Sequence, residues 1–274
     1  MKQLAIHNPF NAPVYHEETV SSTMDISRIL AAGGEPHGTV ICADFQEAGR
    51  GRIRGRHWDM EKGKDLPFTI LLRYSRIEDI PPVLTLRTGL AVALAIEDFV
   101  PALAGMVMIK WPNDIMLPVR KTAAAKAGAA AKAGAAAKAA GILTEADGCG
   151  VFIGIGVNVA QKEFHGFLEN KATSISLACG REIENGERFV LLEKILIRLY
   201  NEIEQADTGM DWHERIQSRL YKKGEQVCFI EGAADSGKTV TGFLTGIGAD
   251  GELLITPDDA IVRSFTAGEL SFAG

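Results

Sequence analysis

The sequence predicts a mixed α/β domain followed by a small all-β module, and three observations carry that prediction. From Val14 to Val159, strand-like alternating runs are interspersed with helical periods. Beyond Lys223 the texture changes to short alternating runs separated by Gly and Asp turns. The length, 274 residues, suits one large domain plus a small one, with enough chain to bury a core. The expected boundaries are 1–222 for the large domain and 223–274 for the β module.

In chain order, strands are expected at VYHEETV (14–20), GTVICADF (38–45), PFTILLRY (67–74), MVMIK (106–110), GILTEA (141–146) and VFIGIGVNV (151–159). A first helix opens at Ser22 or Thr23, runs through MDISRILAAGG and stops at Gly33-Gly34, a C-terminal stop signal. A second, VLTLRTGLAVALAIEDFV (83–100), lies between Pro81-Pro82 and Pro101. A third, 187–205, puts Phe189, Leu192, Leu196, Leu199 and Ile203 on one stripe and continues into DWHERIQSRL. The β module reads as about five strands from EQVCFI, KTVTGFLTGI, GELLIT and AIVRSF. Residues 123–140 are 13 Ala, 3 Lys and 2 Gly in a six-residue repeat, AAAKAG. Such a repeat has no packing face on a helix, so it is expected to be a solvated insertion belonging to neither domain.

Composition removes several function classes. With 29 Lys+Arg against 35 Asp+Glu, the net charge of −6 argues against coating nucleic acid or anionic lipid by bulk charge. Cys42, Cys149, Cys179 and Cys228 lie far apart with no CxxC pair, so zinc ribbons, redox pairs and disulfide frameworks are poor readings. The N-terminal KQLAIHNPFNAP has no apolar signal core, and no apolar run approaches the ~18 residues of a membrane span. A cytoplasmic protein with no membrane association is expected.

Two motif spellings mislead. GAADSGKT (232–239) fits the phosphate-loop pattern, but VTGFLTGIGADG follows it with period two where that motif needs a helix. GIGADG (246–251) spells a dinucleotide fingerprint yet precedes a strand. Both read as turns of the β module.

Chemistry concentrates elsewhere. QEAGRGRIRGRHW (46–58) interleaves Arg50, Arg52, Arg54 and Arg56 with Gly49, Gly51 and Gly55. Glycine permits close backbone approach and arginine supplies planar donors for carboxylate or phosphate, so this loop is suited to closing over an anion. Taken alone it fits equally a solvated basic loop or an RGG-like RNA contact. KWPNDIML (110–117) adds Lys110, Asn113 and Asp114 around a Trp-Pro bend. There Lys110 could stabilise developing charge and Asp114 could hold a metal near a phosphate. Finally, GILTEA and GIGVNV have small residues that let a ligand lie on the sheet, beside Asn158.

Together, VSSTMD (20–25), QEAGRGRIRGRHW, KWPNDIML, KAAGILTEA (138–146), FIGIGVNV and ATSI (172–175) resemble the biotin protein ligases, in that family's order and over nearly the whole chain. The resemblance implies an α/β catalytic domain with an SH3-like C-terminal barrel. It implies that biotin and ATP, with Mg2+, give biotinyl-5′-adenylate and pyrophosphate, and that the biotinyl group then passes to a lysine of a biotin carboxyl carrier domain, such as that of acetyl-CoA carboxylase. Biotin is expected to meet Ser22, Thr23, Met24, Gln46, Arg50, Gly51, Arg52 and Lys138. ATP is expected at Arg52, Arg56, Trp58, Lys110, Asn113 and Asn158, with Asp114 as the Mg2+ ligand. Lys138, Arg52 and Lys110 are the expected catalytic cations. Only about a dozen residues precede the first catalytic strand, so no DNA-binding domain is expected, and a monomer or weak homodimer is.

Three departures from the family pattern matter. Met24 stands where Asn is usual, so that contact passes to Asp25 or is lost. The Arg-Gly loop is one residue longer than usual, which leaves open whether Arg54 or Arg56 reaches ATP. The alanine repeat splits the motif R-K-x-A-G-I-L, so that either Lys121 or Lys138 can be its lysine. Lys138, three residues before Gly141 and fixed by the strand, is preferred. The alternatives are a lipoate–protein ligase, or a non-enzymatic RNA- or ligand-binding module.

Overall fold

In the computed structural model, the described residues are 1–53, 55, 57–120, 135–148, 150–205, 212–232 and 237–271. The large sheet contains β1 (Lys2–Gln3), β2 (Val14–Val20), β3 (Val40–Gln46), β4 (Leu66–Leu72), β5 (Met108–Lys110), β6 (Asp114–Pro118), β7 (Ala136–Asp147) and β8 (Gly150–Val157). Its spatial order is β1-β2-β3-β4-β8-β7-β6-β5. Among the described strands of this sheet, only β2 and β3 pair in parallel, and they are joined through helix α1 (Thr23–Ala32). The remaining helices are α2 (Leu84–Phe99), α3 (Ile175–Cys179), α4 (Glu187–Ile203) and α5 (Trp212–Gln217).

Strand alternation divides this sheet between two faces. Phe68, Ile70 and Leu72 of β4, with Ile153 and Ile155 of β8, join the main core formed with α2 and α4. On the other face, Leu71 and Phe152 pack with Met24 and Ala31 of α1. Ile77–Phe99 is apolar enough by composition to cross a membrane, yet 61% of that window is buried inside the fold, as expected for a core helix.

Helix α1 stops as its sequence predicts. Gly34 takes φ +89, Glu35 N–H donates to Leu30 O, and Gly34 N–H donates to Ala31 O, a Schellman closure. Other details differ from the sequence reading. Asp114–Pro118 is a strand, paired antiparallel with β5 so that Lys110 faces Asp114 across the Trp111-Pro112-Asn113 turn. The sequence also misses β1 and α3, and it runs α4 into 212–217, which the structure gives as the separate helix α5.

The largest correction concerns 123–140. Its last five residues, Ala136 to Ala140, form the start of β7, with Ala137, Ala139 and Ala140 buried. β6 pairs along one side of this stretch. On the other side Ala139 O accepts from Asn158 N–H (2.8 Å), and Lys138 is held by Lys171 O and Thr173 N–H (2.9 Å each). These partners are distant in sequence, and they override alanine's helix preference. Residues 121–134 lie outside the described residues.

The C-terminal sheet comprises β9 (Gln226–Glu231), β10 (Lys238–Ile247), β11 (Leu253–Thr256), β12 (Arg263–Phe265) and β13 (Gly268–Ser271), in the order β12-β11-β10-β9-β13. Strand β10 begins at Lys238, so the phosphate-loop spelling leads into a strand, and the GIGADG spelling starts in the last two residues of β10 and continues into the β10–β11 turn. The Phe229 and Phe265 rings meet at 4.6 Å although β9 and β12 are not neighbours, so the sheet is curved, and both rings join the same buried cluster as the large sheet. Trp111 joins the two sheets: its ring packs on Phe229 and its Nε1 donates to Gly251 O at 2.9 Å.

Candidate functional site

The site lies where the amino end of α1, the end of β3, the Arg-Gly loop and the middle of β7 and β8 converge. Helix α1 has no side-chain cap from Ser22. Its first amide instead donates to Gln46 Oε1 at 2.8 Å, and Thr23 Oγ1 donates to the same oxygen at 3.0 Å. Two donors on one oxygen fix the orientation of the Gln46 amide. Thr69 Oγ1 then donates to Thr23 Oγ1 (2.9 Å), which locks the polar end of the site to β4.

A cavity of about 60 Å³ opens from this polar end. Ser22, Thr23, Met24, Gln46 and Phe68 line one part of it, Arg50, Gly51, Arg52, Trp58, Asn113 and Lys138 another. Gly141, Gly154 and Gly156, with Ile142, Leu143 and Ile155, complete the wall. The glycines of β8 alternate with Ile153, Ile155 and Val157, so one strand presents a side-chain-free surface to the site and an aliphatic surface to the core. An added Cβ on Gly156 would stand 2.6 Å from Trp58 Cε2, and one on Gly154 would stand 3.0 Å from Met24 Sδ. A second cavity of about 190 Å³ adjoins the first, sharing Arg52, Asn113, Ile142 and Leu143, and reaches Thr266 and Ala267 between β12 and β13.

Every described cation of the site has a partner within the protein. Arg50 Nη2 meets Asp25 Oδ1 at 2.5 Å, Arg52 Nη2 donates to Gly268 O at 2.7 Å, and Lys138 Nζ meets Asp114 Oδ1 at 2.6 Å. Lys138 Nζ also lies 5.4 Å from the Trp58 ring. The Arg-Gly loop is closed at its base by Trp58 N–H donating to Gly49 O at 3.0 Å and by an antiparallel bridge between Arg50 and His57.

Of the residues expected from sequence, Ser22, Thr23, Met24, Gln46, Arg50, Gly51, Arg52, Trp58, Asn113 and Lys138 are brought together around the first cavity. Lys110, Asp114 and Asn158 line neither cavity. Asp114 is one step behind, paired with Lys138, and Lys110 is opposite it across the β5–β6 turn. Asn158 is buried, with Nδ2 donating to Thr173 O at 3.0 Å. Arg54, Arg56 and Lys121 lie outside the described residues. The expected Met24 departure is an apolar wall packed on Leu71 and Phe152, while Asp25 takes Arg50. Phe68 was not expected at the site, because in the sequence it is indistinguishable from the core residues around it. The three wall glycines were signalled only as a class, by the small-residue runs.

As for a metal, no group of three His, Cys, Asp or Glu is arranged to hold one among the described residues. Asp114 offers a single carboxylate, which suits an ion bound mainly through nucleotide phosphates and water.

A mixed α/β sheet carries a glycine-floored cavity with a polar end and converging cations, a site shaped for an amphipathic ligand that ends in a carboxylate or phosphate. The model of the biotin/lipoate A/B protein ligase family matches residues 17–158, more than half of the chain, and the chain belongs to that family. The bifunctional ligase/repressor BirA of Bacillus subtilis is 36% identical over 182 residues, covering 62% of this chain and 48% of the relative. A biotin–[acetyl-CoA-carboxylase] ligase of Mycobacterium tuberculosis is 30% identical over 148 residues, 53% of this chain and 48% of the relative. Each match thus spans about half the relative's length. Biotin protein ligase from Aquifex aeolicus in complex with biotin and ATP shares the fold, with a TM-score of 0.70 and 24% identity over 94% of this chain and 97% of that one.

Proposed function

We propose that this chain is an ATP-dependent biotin–protein ligase. One observation carries the reading: a single cavity unites a polar end at Ser22, Thr23 and Gln46, a glycine floor, and the cations Arg50, Arg52 and Lys138. That sequence of surfaces matches biotin, which has a polar ureido ring, an apolar body and a carboxylate tail. The Bacillus and Mycobacterium relatives and the biotin- and ATP-bound Aquifex structure support the same choice.

In this reading a biotin carboxylate oxygen attacks the α-phosphorus of ATP, the bond to the β-phosphate breaks, and pyrophosphate leaves. Arg52 and Lys138 release Gly268 O and Asp114 to hold the carboxylate and α-phosphate, and their fixed charges stabilise the transition state. Arg50 and Gly51 cover the mixed anhydride. Trp58 and Asn113 would face the nucleotide, with Asn158 beside it. Lys110 contributes charge from behind. Asp114 is the residue that would hold Mg2+, which would supply charge neutralisation of the triphosphate. A deprotonated carrier lysine then attacks the acyl carbon, the bond to AMP breaks, and a biotinyl amide forms. The excluded volume of the cavity protects the acyl-adenylate from water until then.

Residues 1–222 would carry the chemistry, and 223–274, as an SH3-like barrel, would present Thr266 and Ala267 to the second cavity and Gly268 O to Arg52. The partner is a carrier domain of a biotin-dependent carboxylase, acted on in the cytoplasm by a monomer or weak homodimer. Pyrophosphate release measured with ATP plus biotin, lipoate or neither tests the reading. Biotin-dependent release is expected, and lipoate-dependent release would favour the other branch of the family.

A further inference from the structure

We propose that Asp65 is a positioning residue that fastens the outgoing arm of the Arg-Gly loop to the strand end carrying Asn158. The arm from His57 to Asp65 would then stay in fixed register with Asn158 and Lys138. The inference deepens the ligase reading and rests on it.

Asp65 is fully buried immediately before β4, and among the described residues its carboxylate makes no ion pair. Arg188 of α4 donates only to its backbone oxygen, at 3.4 Å. The two carboxylate oxygens are divided between two segments. Oδ2 accepts from Glu61 N–H (3.0 Å), in the arm that leads from Trp58 to β4. Oδ1 accepts from Val159 N–H (3.2 Å), directly after Asn158. A backbone bond from Ala160 N–H to Lys64 O (2.8 Å) runs beside them. From Asn158 the connection continues: its N–H donates to Ala139 O, its side chain to Thr173 O, and Thr173 N–H donates to Lys138 O. One buried carboxylate therefore ties the exit of the loop to the backbone that sets Lys138.

A carboxylate is an expensive choice for this purpose. Burial without a cation is unfavourable, and it pushes the Asp65 carboxyl up to about 7. An asparagine would satisfy only one of the two N–H groups, because its second atom is a donor. Only the carboxylate offers an acceptor to both segments at once, so the costly group is the one that joins the two segments. Filling the core alone would not require it.

The test measures pyrophosphate release by Asp65→Asn with biotin and ATP varied separately, together with trypsin cleavage at Arg50 and Arg52 with and without both ligands. The variant is expected to raise KM for ATP about tenfold, the scale of one unmet hydrogen bond. KM for biotin should rise less than KM for ATP, because only the biotin carboxylate meets the loop and Lys138, while the polar end rests on Gln46 and Thr69 and not on Asp65. Ligand protection of the loop should be lost. If Asp65→Asn does not fold, Glu61→Pro, read against Glu61→Ala as the control for the lost side chain, removes the loop-arm N–H and should give the same ATP-selective defect. Folded variants with wild-type KM for ATP and intact protection would overturn the proposal, as would equal losses for both substrates that track melting temperature. A wild type that releases no biotin-dependent pyrophosphate would instead refute the ligase reading itself, and this inference with it.

Discussion

Replacing Lys138 by Met separates charge from packing at the centre of the site. The ammonium is 2.6 Å from Asp114 Oδ1, but its side chain is 35% exposed, so the ion pair contributes at most about 1 kcal/mol to stability. Methionine retains most of the stem beside the Trp58 ring. For a chain of this size the melting temperature should fall by only about 2–4 °C. In the proposed reaction the same charge would face the α-phosphate and carboxylate as negative charge builds, where one such donor is worth roughly 10²–10³ in rate. Biotinyl-adenylate formation should therefore drop by that factor at saturating MgATP, in a protein that remains folded. Lys121→Met should keep most of the activity, because Lys121 is separated from Gly141 by the repeat, whereas Lys138 is held through its own backbone by Lys171 and Thr173. Near wild-type turnover by Lys138→Met, or the loss appearing in Lys121→Met, would refute the assignment.

Further outcomes follow from particular contacts. Gly156→Ala places a methyl 2.6 Å from Trp58 Cε2, well inside the ~3.5 Å of a relaxed carbon contact, so the indole must retreat. Tryptophan fluorescence should shift, and KM for biotin should rise about tenfold; an unchanged spectrum and KM would count against the glycine floor. Lys238→Ala should leave adenylate formation within a few-fold of wild type, since Lys238 opens a strand; a loss on the order of 10² would reinstate the phosphate loop. The Asp65 carboxyl, raised to about 7 by burial, with Glu61 and Asp59 adding to the effect, favours the protonated fold. Its contribution is complete below about pH 4 and is lost as pH rises through about 7, roughly 4 kcal/mol over that span. Denaturation curves between pH 4 and 8 should show wild type losing stability relative to Asp65→Asn as pH rises, and parallel curves would contradict this.

What the sequence made legible were features encoded locally. Alternation of Gly with Ile in β8 announced both a ligand-facing and a core-facing surface, and Gly33-Gly34 marked the end of α1. The Arg-Gly loop and KWPND carried enough residue-specific chemistry to indicate the family. Features that depend on distant partners were hidden. Ala136 to Ala140 have no face of their own and become strand only because β6, Asn158 and the 171–173 segment supply hydrogen bonds. Gln46 looked like a ligand contact, and nothing nearby in sequence revealed that it caps α1 from 23 residues away. The β5–β6 turn concealed Asp114–Pro118 because Trp-Pro reads as the end of a strand, with no sign that the chain returns. Asp65 preceded an apolar strand as a lone acid, and its two partners, Glu61 and Val159, are 4 and 94 residues away.

The most direct measurement of the central claim is incubation of the whole chain with biotin, MgATP and a carboxylase carrier domain, followed by intact mass of the carrier and assay of pyrophosphate and AMP. One biotinyl group on one carrier lysine is expected, with pyrophosphate and AMP formed in equal amounts and only when biotin is present. An unmodified carrier with no biotin-dependent pyrophosphate would contradict it.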